Sequence, residues 1–459
     1  MASSTVSARW LVVGGGMMGL TMAHRLAGRD QQVTVCEAAP QFGGLTSAWK
    51  LNDVRWDRFY HVTLKSDSQL RALLEEIGLE QELRWVETRT GFYSGGKLYS
   101  MSNTMEFLKF PPLNLIEKLR LGGTIFLASK IKNWKRLEKI PVADWLQKWS
   151  GKGTFRKIWL PLLRAKLGET YKQTSAAFIW AHISRMYKAR RSGMKVEMFG
   201  YVPGGYGRVL ERMGEVLREQ NVRMLAGHPV RSVQQLESGE LEVDFGDGRR
   251  ETFDNVVFTI PSPLIAGACS ELNPDERTRM ENIQYMGVVC TSLLLKQPIS
   301  EFYVTNITDN VPMTAVIEMS TIVDRDEELQ GHSLVYLPKY LPQDDPGLQE
   351  DDAVVEERFL KTLEGMYDHF SRDNVAAIRT ARAKYVMALP TLNYSEKLPP
   401  VVTSVPGLYA LNAAHIVKGN LNVNETIELG DEKLEAEVWP DFLARASQRV
   451  PPPQPVGAL

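Results

Sequence analysis

The stretch WLVVGGGMMGLTMAHRL, residues 10–26, limits what this chain can fold into more than any other. An apolar run of strand length meets glycines at positions 14, 15, 16 and 19. Glycine is costly to order, so a cluster marks a backbone that must bend sharply or let another group come close. Leu20, Ala23 and Leu26 then recur at helical spacing. QVTVCEA follows, a second apolar strand that ends on an acid, Glu37. Strand, glycine turn, helix, strand and acid form the unit of a doubly wound α/β sheet that holds a dinucleotide.

Each residue of that unit has a physical role. Gly14 permits the tight turn, Gly16 lets a pyrophosphate approach the backbone, and Gly19 lets the helix pack on the strand. The amides that open the helix, at Met17 and Met18, face the phosphates. Glu37, with Ala38 after it, lies where a carboxylate accepts hydrogen bonds from an adenosine ribose. A carboxylate there repels a 2′-phosphate, so NADP is disfavoured.

Composition removes other classes. The 459 residues include 54 basic and 55 acidic ones, a formal net charge of −1. No global field steers nucleic acid to such a chain, and no zinc-finger or basic-zipper spacing occurs. The length calls for more than one core. Cys36, Cys269 and Cys290 are too scattered for a disulfide framework or a metal cluster, which points to a reducing compartment and no metal. MASSTVSAR holds no apolar core of signal-peptide length. No run reaches the ~18 uninterrupted apolar residues of a spanning helix. The expectation is a cytoplasmic protein with a small-molecule substrate, its oligomeric state left open.

A second glycine pair, Gly43 and Gly44 in EAAPQFGGLTSAW, follows Glu37 closely. A simple NAD domain has no need of it. The pattern resembles the start of the flavin-containing amine oxidoreductases, which include monoamine oxidases, protoporphyrinogen oxidases and phytoene desaturases. The resemblance implies FAD, with Gly43, Gly44, Leu45 and Thr46 beside the pyrophosphate. DRFYHV, residues 57–62, resembles a segment beside the flavin and makes His61 a candidate catalytic residue. YVPGGYGRVLERMGEVL and VRMLAGHPV resemble the return to the cofactor domain, with Val230 at the adenine. VVFTIP continues it. GLYALNAAH and the later VNET resemble the last return, with Asn412, Asn424 and Thr426 at the flavin end. The family's lysine near the flavin has no counterpart from Gln284 to Leu295, where Cys290 stands as a second catalytic candidate.

The implied architecture is a discontinuous Rossmann-like FAD-binding domain (1–65, 201–265 and 401–445) with an inserted substrate domain of mixed sheet and helices (66–200 and 266–400). A proline-rich, disordered tail is expected over 446–459. Within the insertion, SDSQLRALLEEIG reads as a helix capped by Ser66 or Ser68, and TGFYSGGKLYSM as a hairpin. Trp159, Leu162, Leu163 and Lys166 share one helical stripe that Gly168 ends. Residues 105–139 are apolar with interspersed lysines and arginines, consistent with a solvated cap or with contact to an anionic membrane surface. Phe59, Tyr60, Phe92 and Tyr93 are pocket candidates for a bulky, partly apolar substrate. The implied activity is FAD-dependent hydride removal from that substrate, with oxygen or another acceptor reoxidising the flavin. Two alternatives stand beside it. One is a non-redox sugar-nucleotide enzyme resembling UDP-galactopyranose mutases, using Arg164, Arg185 and Arg190. The other is a scaffold that binds FAD without turnover.

Overall fold

The computed structural model describes residues 7–191 and 198–449. Five strands form a parallel sheet: β1 (Arg9–Val13), β2 (Gln32–Glu37), β3 (Arg223–Ala226), β4 (Asn255–Phe258) and β5 (Leu408–Ala410), in the order β3-β2-β1-β4-β5. β1 is central. Its apolar run is buried because helices or a smaller sheet cover both faces, the usual fate of a parallel strand. Three distant parts of the sequence thus meet in one sheet, with β1 beside β2 on one edge and β4 on the other.

The second sheet has seven strands and carries the inserted residues. Tyr285–Leu295 lies between Val375–Ala388 and Ser333–Pro342, antiparallel to both, and is buried at every position. The expected hairpin is present as Thr90–Ser94 paired with Lys97–Ser100. A smaller antiparallel sheet, Ser232–Gln235, Leu241–Asp244 and Arg250–Phe253, stands beside the first.

Six helices place the functional groups. α1 (Met17–Ala27) leaves the glycine turn. α2 (Leu115–Lys130), α3 (Leu160–Leu167) and α4 (Ala176–Arg191) belong to a helical layer. α5 (Gly205–Glu219) and α6 (Val423–Lys433) pack beside α1 on the parallel sheet. The stripe read through Trp159–Lys166 is not one α-helix. A π-turn spans Phe155–Trp159 before α3, which Gly168 ends at φ +56°.

The helix expected after Ser66 runs Ser68–Glu76, and neither serine side chain caps it. Asn424 Oδ1 instead accepts from the Gln69 and Leu70 amides at 2.9 and 3.1 Å. A side chain from the far end of the sequence therefore satisfies amides that local residues leave open. The last helix runs to Arg449. The tail from residue 450 onward, and the Arg190 side chain, lie outside what the structure describes.

Candidate functional site

The glycine turn shows why each glycine is needed. Gly14 sits at φ +111°, where a side chain is strained. A Cβ on Gly19 would lie 1.9 Å from the Gly14 carbonyl oxygen, so α1 reaches the strand only without one. Gly16 is different. Its φ is −78°, and a Cβ there would meet no protein atom within 4 Å. Neither backbone strain nor packing requires glycine at that point. Its bare backbone borders open space at the N-terminus of α1, where first-turn amides lack intrahelical acceptors.

The other predicted groups of this end converge here. Glu37 Oε2 accepts from the Gly15 amide and Oε1 from the Ala39 amide, each at 2.8 Å. A carboxylate keeps further lone pairs beyond these two. The second glycine pair touches the first: Gly43 N donates to Gly15 O at 2.7 Å. Thr46 Oγ1 donates to Gly43 O at 2.8 Å and fixes that turn. Met17 and Met18 send their side chains into the core, which leaves their amides at the loop. Ala38 is exposed, Leu45 is partly exposed, and Val230 is a partly exposed residue between β3 and the small sheet.

At the other end the asparagines serve the protein. Asn412 Nδ2 donates to Ile260 O at 2.9 Å and to Ser262 Oγ at 3.1 Å, and its Oδ1 accepts from the Ala414 amide. Asn424 is committed to the Ser68–Glu76 helix. Thr426 Oγ1 donates to Asn422 O at 2.8 Å. Asn422 is the N-cap of α6, accepting from the Glu425 amide. It escaped the sequence reading although Asn at the head of an Asn-x-x-Glu run is an N-cap signal.

His61 and Cys290 are separated by chemistry as well as place. His61 Nδ1 lies 3.0 Å from Phe59 O, the ring meets Tyr206 edge-on, and burial lowers its pKa to about 4. Asp57, four residues earlier, accepts from the Tyr206 amide at 2.9 Å at the start of α5, and burial pushes its carboxyl up to about 8. Burial thus favours the uncharged form of both groups. With Tyr206 they line a small, partly open cavity of about 20 Å³. Cys290 is 0% exposed in the middle of Tyr285–Leu295, the second strand of the large sheet, and burial raises its thiol well above the ordinary value. A buried thiol without a cationic partner is held protonated and inert.

The aromatic pocket candidates do not form one wall. Phe59 packs under the large sheet, Phe92 against the helical layer and Tyr93 on another face. Tyr60 has its OH 2.8 Å from that of Tyr340. Lys166 Nζ lies 3.2 Å from the centre of the Tyr340 ring. His182, on α4, is near the same group and touches Asn420 on the segment between β5 and α6, at 3.3 Å. Of the arginines that a diphosphate would need, Arg164 pairs with Glu169 at 2.9 Å and Arg185 with Asp67 at 3.1 Å.

A parallel five-stranded sheet with a bare glycine turn and an acid ending the second strand defines a dinucleotide-binding protein. The model of the flavin containing amine oxidoreductase family matches residues 17–415, and the chain belongs to that family. FAD is accordingly its cofactor. Zeta-carotene desaturase of Synechocystis sp. is 25% identical over 261 residues, 51% of this chain and 52% of that protein. The chain spans about half the length of the curated relatives it matches. An oxidoreductase from Methanosarcina mazei has the same fold at TM-score 0.72 and 17% identity, covering 93% of this chain and 100% of that one. Putrescine oxidase bound to putrescine superposes at TM-score 0.69 with 16% identity, over 96% and 100% of the two chains. No helix among the described residues is long and apolar enough to cross a membrane, and they contain no cluster of metal-ligating side chains.

Proposed function

We propose that the chain is an FAD-dependent oxidoreductase that removes a hydride from a bulky, partly apolar organic substrate, the electrons passing on to oxygen or another acceptor. Gly16 carries the cofactor side of this reading: it is a glycine that the protein itself does not need, beside Glu37 and the Gly43 turn. In this reading Gly14, Gly16, Gly19 and the Met17 and Met18 amides bind the pyrophosphate, and Glu37 with Ala38 binds the adenosine ribose. Gly43, Gly44, Leu45 and Thr46 support the same linkage, and Val230 the adenine. Asn412, Asn424 and Thr426 act as positioning residues, holding the β5–α6 segment through the bonds they make to the protein. FAD, when bound, supplies the two-electron acceptor that no side chain offers. His61 lines the small cavity beside Asp57 and Tyr206, and Cys290 is a core residue of the large sheet.

The substrate side of the proposal includes contact with an anionic membrane surface through residues 105–139. Leu115, Ile116 and Leu119 are 66%, 69% and 65% exposed and Phe126 is 56% exposed. Leu115, Leu119 and Phe126 share one face of α2, so this helix turns an apolar stripe outward. The exposed charges of 105–139 are all basic: Lys109, Arg120, Lys130, Lys132, Lys135, Arg136 and Lys139. Apolar side chains ringed by basic ones fit the interface of an anionic bilayer.

Anaerobic mixing of the FAD-loaded chain with polyenes, porphyrinogens and hydrophobic amines tests the reaction. One class is expected to bleach the flavin bands, with return on admitting air. Flavin that dithionite bleaches and none of these donors does would contradict the proposed turnover and favour the scaffold.

A further inference from the structure

Lys166 is an unusual lysine for its place. It lies on the buried stripe of α3, between Leu163 and Leu167, both in the core. Its ammonium rests on the Tyr340 ring, whose hydroxyl is bonded to Tyr60. Among the described residues no carboxylate stands within ion-pair distance of it. The neighbouring charges are spent elsewhere: Arg164 and Glu169 pair at the surface, and Arg185 is held by Asp67. His182 borders the cluster from the surface side, its Nδ1 3.3 Å from Asn420 Nδ2, and the nearby Lys166 and Arg185 charges disfavour its protonated form. Tyr60 and Tyr340 are held protonated by burial. Cys290, behind them, is also neutral.

The ring face offsets part of the cost of removing the ammonium from water. A partly buried cation without a counter-ion still costs more than a paired one. Burial accordingly lowers the Lys166 pKa to about 7. The charge missing from this cluster is a single negative one. The elements around it are α3, α4, the end of Ser333–Pro342, the Tyr60 segment and, through His182, the Asn420 segment that leads from β5 to α6. Four of these belong to the inserted substrate portion or its border, and the last returns to the cofactor sheet.

We propose that Lys166, seated on the Tyr340–Tyr60 pair and flanked by His182, binds an anionic group of the substrate, a carboxylate or a phosphate monoester, so that the substrate is an organic anion with an apolar body. This rests on the reading of the chain as an FAD-dependent oxidoreductase. Lys166 is a specificity residue in it: the ammonium donates hydrogen bonds to the anion, and the Tyr340 ring holds the ammonium in place. Binding is coupled to a proton. Above neutral pH the free protein holds Lys166 increasingly as the amine, and an anion must then bring a proton with it.

The test uses the full-length, FAD-loaded chain and three probes of one size: benzoate, phenyl phosphate and benzyl alcohol. Binding is followed by calorimetry and by shifts of the flavin bands, at about pH 6 and about pH 9, either side of the lysine's transition. At the lower pH at least one anion is expected to bind about tenfold or more tightly than the alcohol, as a charge-assisted hydrogen bond provides. The advantage shrinks at the higher pH. Lys166→Met removes it, and Lys166→Arg keeps it at both pH values. Preference for benzoate or for phenyl phosphate identifies the anion as carboxylate or phosphate. Equal binding of all three probes to the wild type overturns the anchor, as does an undiminished anion preference in Lys166→Met. If Lys166→Met fails to fold, the wild-type pH dependence and Lys166→Arg decide. FAD uptake is read first: a wild-type chain that takes none overturns the flavoenzyme reading and the anchor together, whereas FAD uptake without anion preference overturns the anchor alone.

Discussion

In the glycine cradle the protein's own polar atoms are matched. Glu37 is held by two amides, Gly43 by Gly15, and Thr46 by Gly43. What the cradle leaves open is a bare backbone at Gly16. The helical layer is the reverse. Its open features are side chains: an ammonium on an aromatic ring without a counter-ion, and leucines, an isoleucine and a phenylalanine turned to solvent. The first region is a rigid frame shaped for a ligand common to a family. The second carries groups for which the described residues supply no partner. Frame and specificity thus occupy different parts of the chain, one local in sequence and one assembled from distant segments.

The sharpest way to break this contrast is at the two kinds of glycine. Gly19→Ala places a methyl against the Gly14 carbonyl and is expected to abolish FAD uptake with severe loss of folded protein. Gly16→Ala meets no protein atom, so its Tm is expected to stay near wild type while FAD affinity falls by about tenfold or more, roughly 1.4 kcal/mol. Calorimetric unfolding and FAD titration separate the two. If Gly16→Ala binds FAD as the wild type does, the open space beside Gly16 is not the cofactor's.

The second test concerns the outward face of α2. The triple variant Leu115→Glu, Leu119→Glu, Phe126→Glu is expected to lose co-sedimentation with anionic vesicles, since each buried apolar side chain contributes about 1.5–3 kcal/mol. Its Tm should change little, because these side chains touch solvent. Retained vesicle binding would leave α2 as a solvated cap.

A third prediction sharpens the border between the two regions. The folded Asp57 carboxyl has its pKa raised by burial from 3.8 to about 8. The native state therefore keeps a proton that the unfolded chain releases, and stability falls as pH rises between these values. Asp57→Asn keeps an acceptor for the Tyr206 amide and removes the titration. Its Tm is expected to gain on the wild type steadily from about pH 5 to about pH 8. Parallel curves would contradict a neutral Asp57.

The smallest effect is expected from Asn424→Ala, which leaves the Gln69 and Leu70 amides without their cap and costs about 1 kcal/mol in chemical denaturation. Asn424→Asp, which keeps an acceptor, should lose less.

The contrast also explains what could be read from the sequence. The cradle was legible because its constraints are local: glycines, helix and acid lie within about 25 residues, at spacings fixed by the turn they make. The Asn424 cap was not legible, because it joins positions 355 residues apart. Phe92 and Tyr93 were grouped by composition, but adjacent strand residues face opposite sides and cannot share a wall. Lys166 did leave a trace, a lysine on the apolar stripe of its helix. Only the structure shows Tyr340 beneath it and, among the described residues, no acid within ion-pair distance. Asn412 was placed at the flavin end by resemblance, and its side chain proves to be committed to Ile260, Ser262 and Ala414.

The most direct measurement is the absorbance of the purified full-length chain after incubation with excess FAD and removal of the unbound fraction, followed by anaerobic dithionite and then air. One FAD per chain is expected, with flavin bands that bleach and return promptly. A chain that retains no flavin under these conditions would contradict the assignment of the Gly14–Gly19 cradle to FAD and the oxidoreductase built on it.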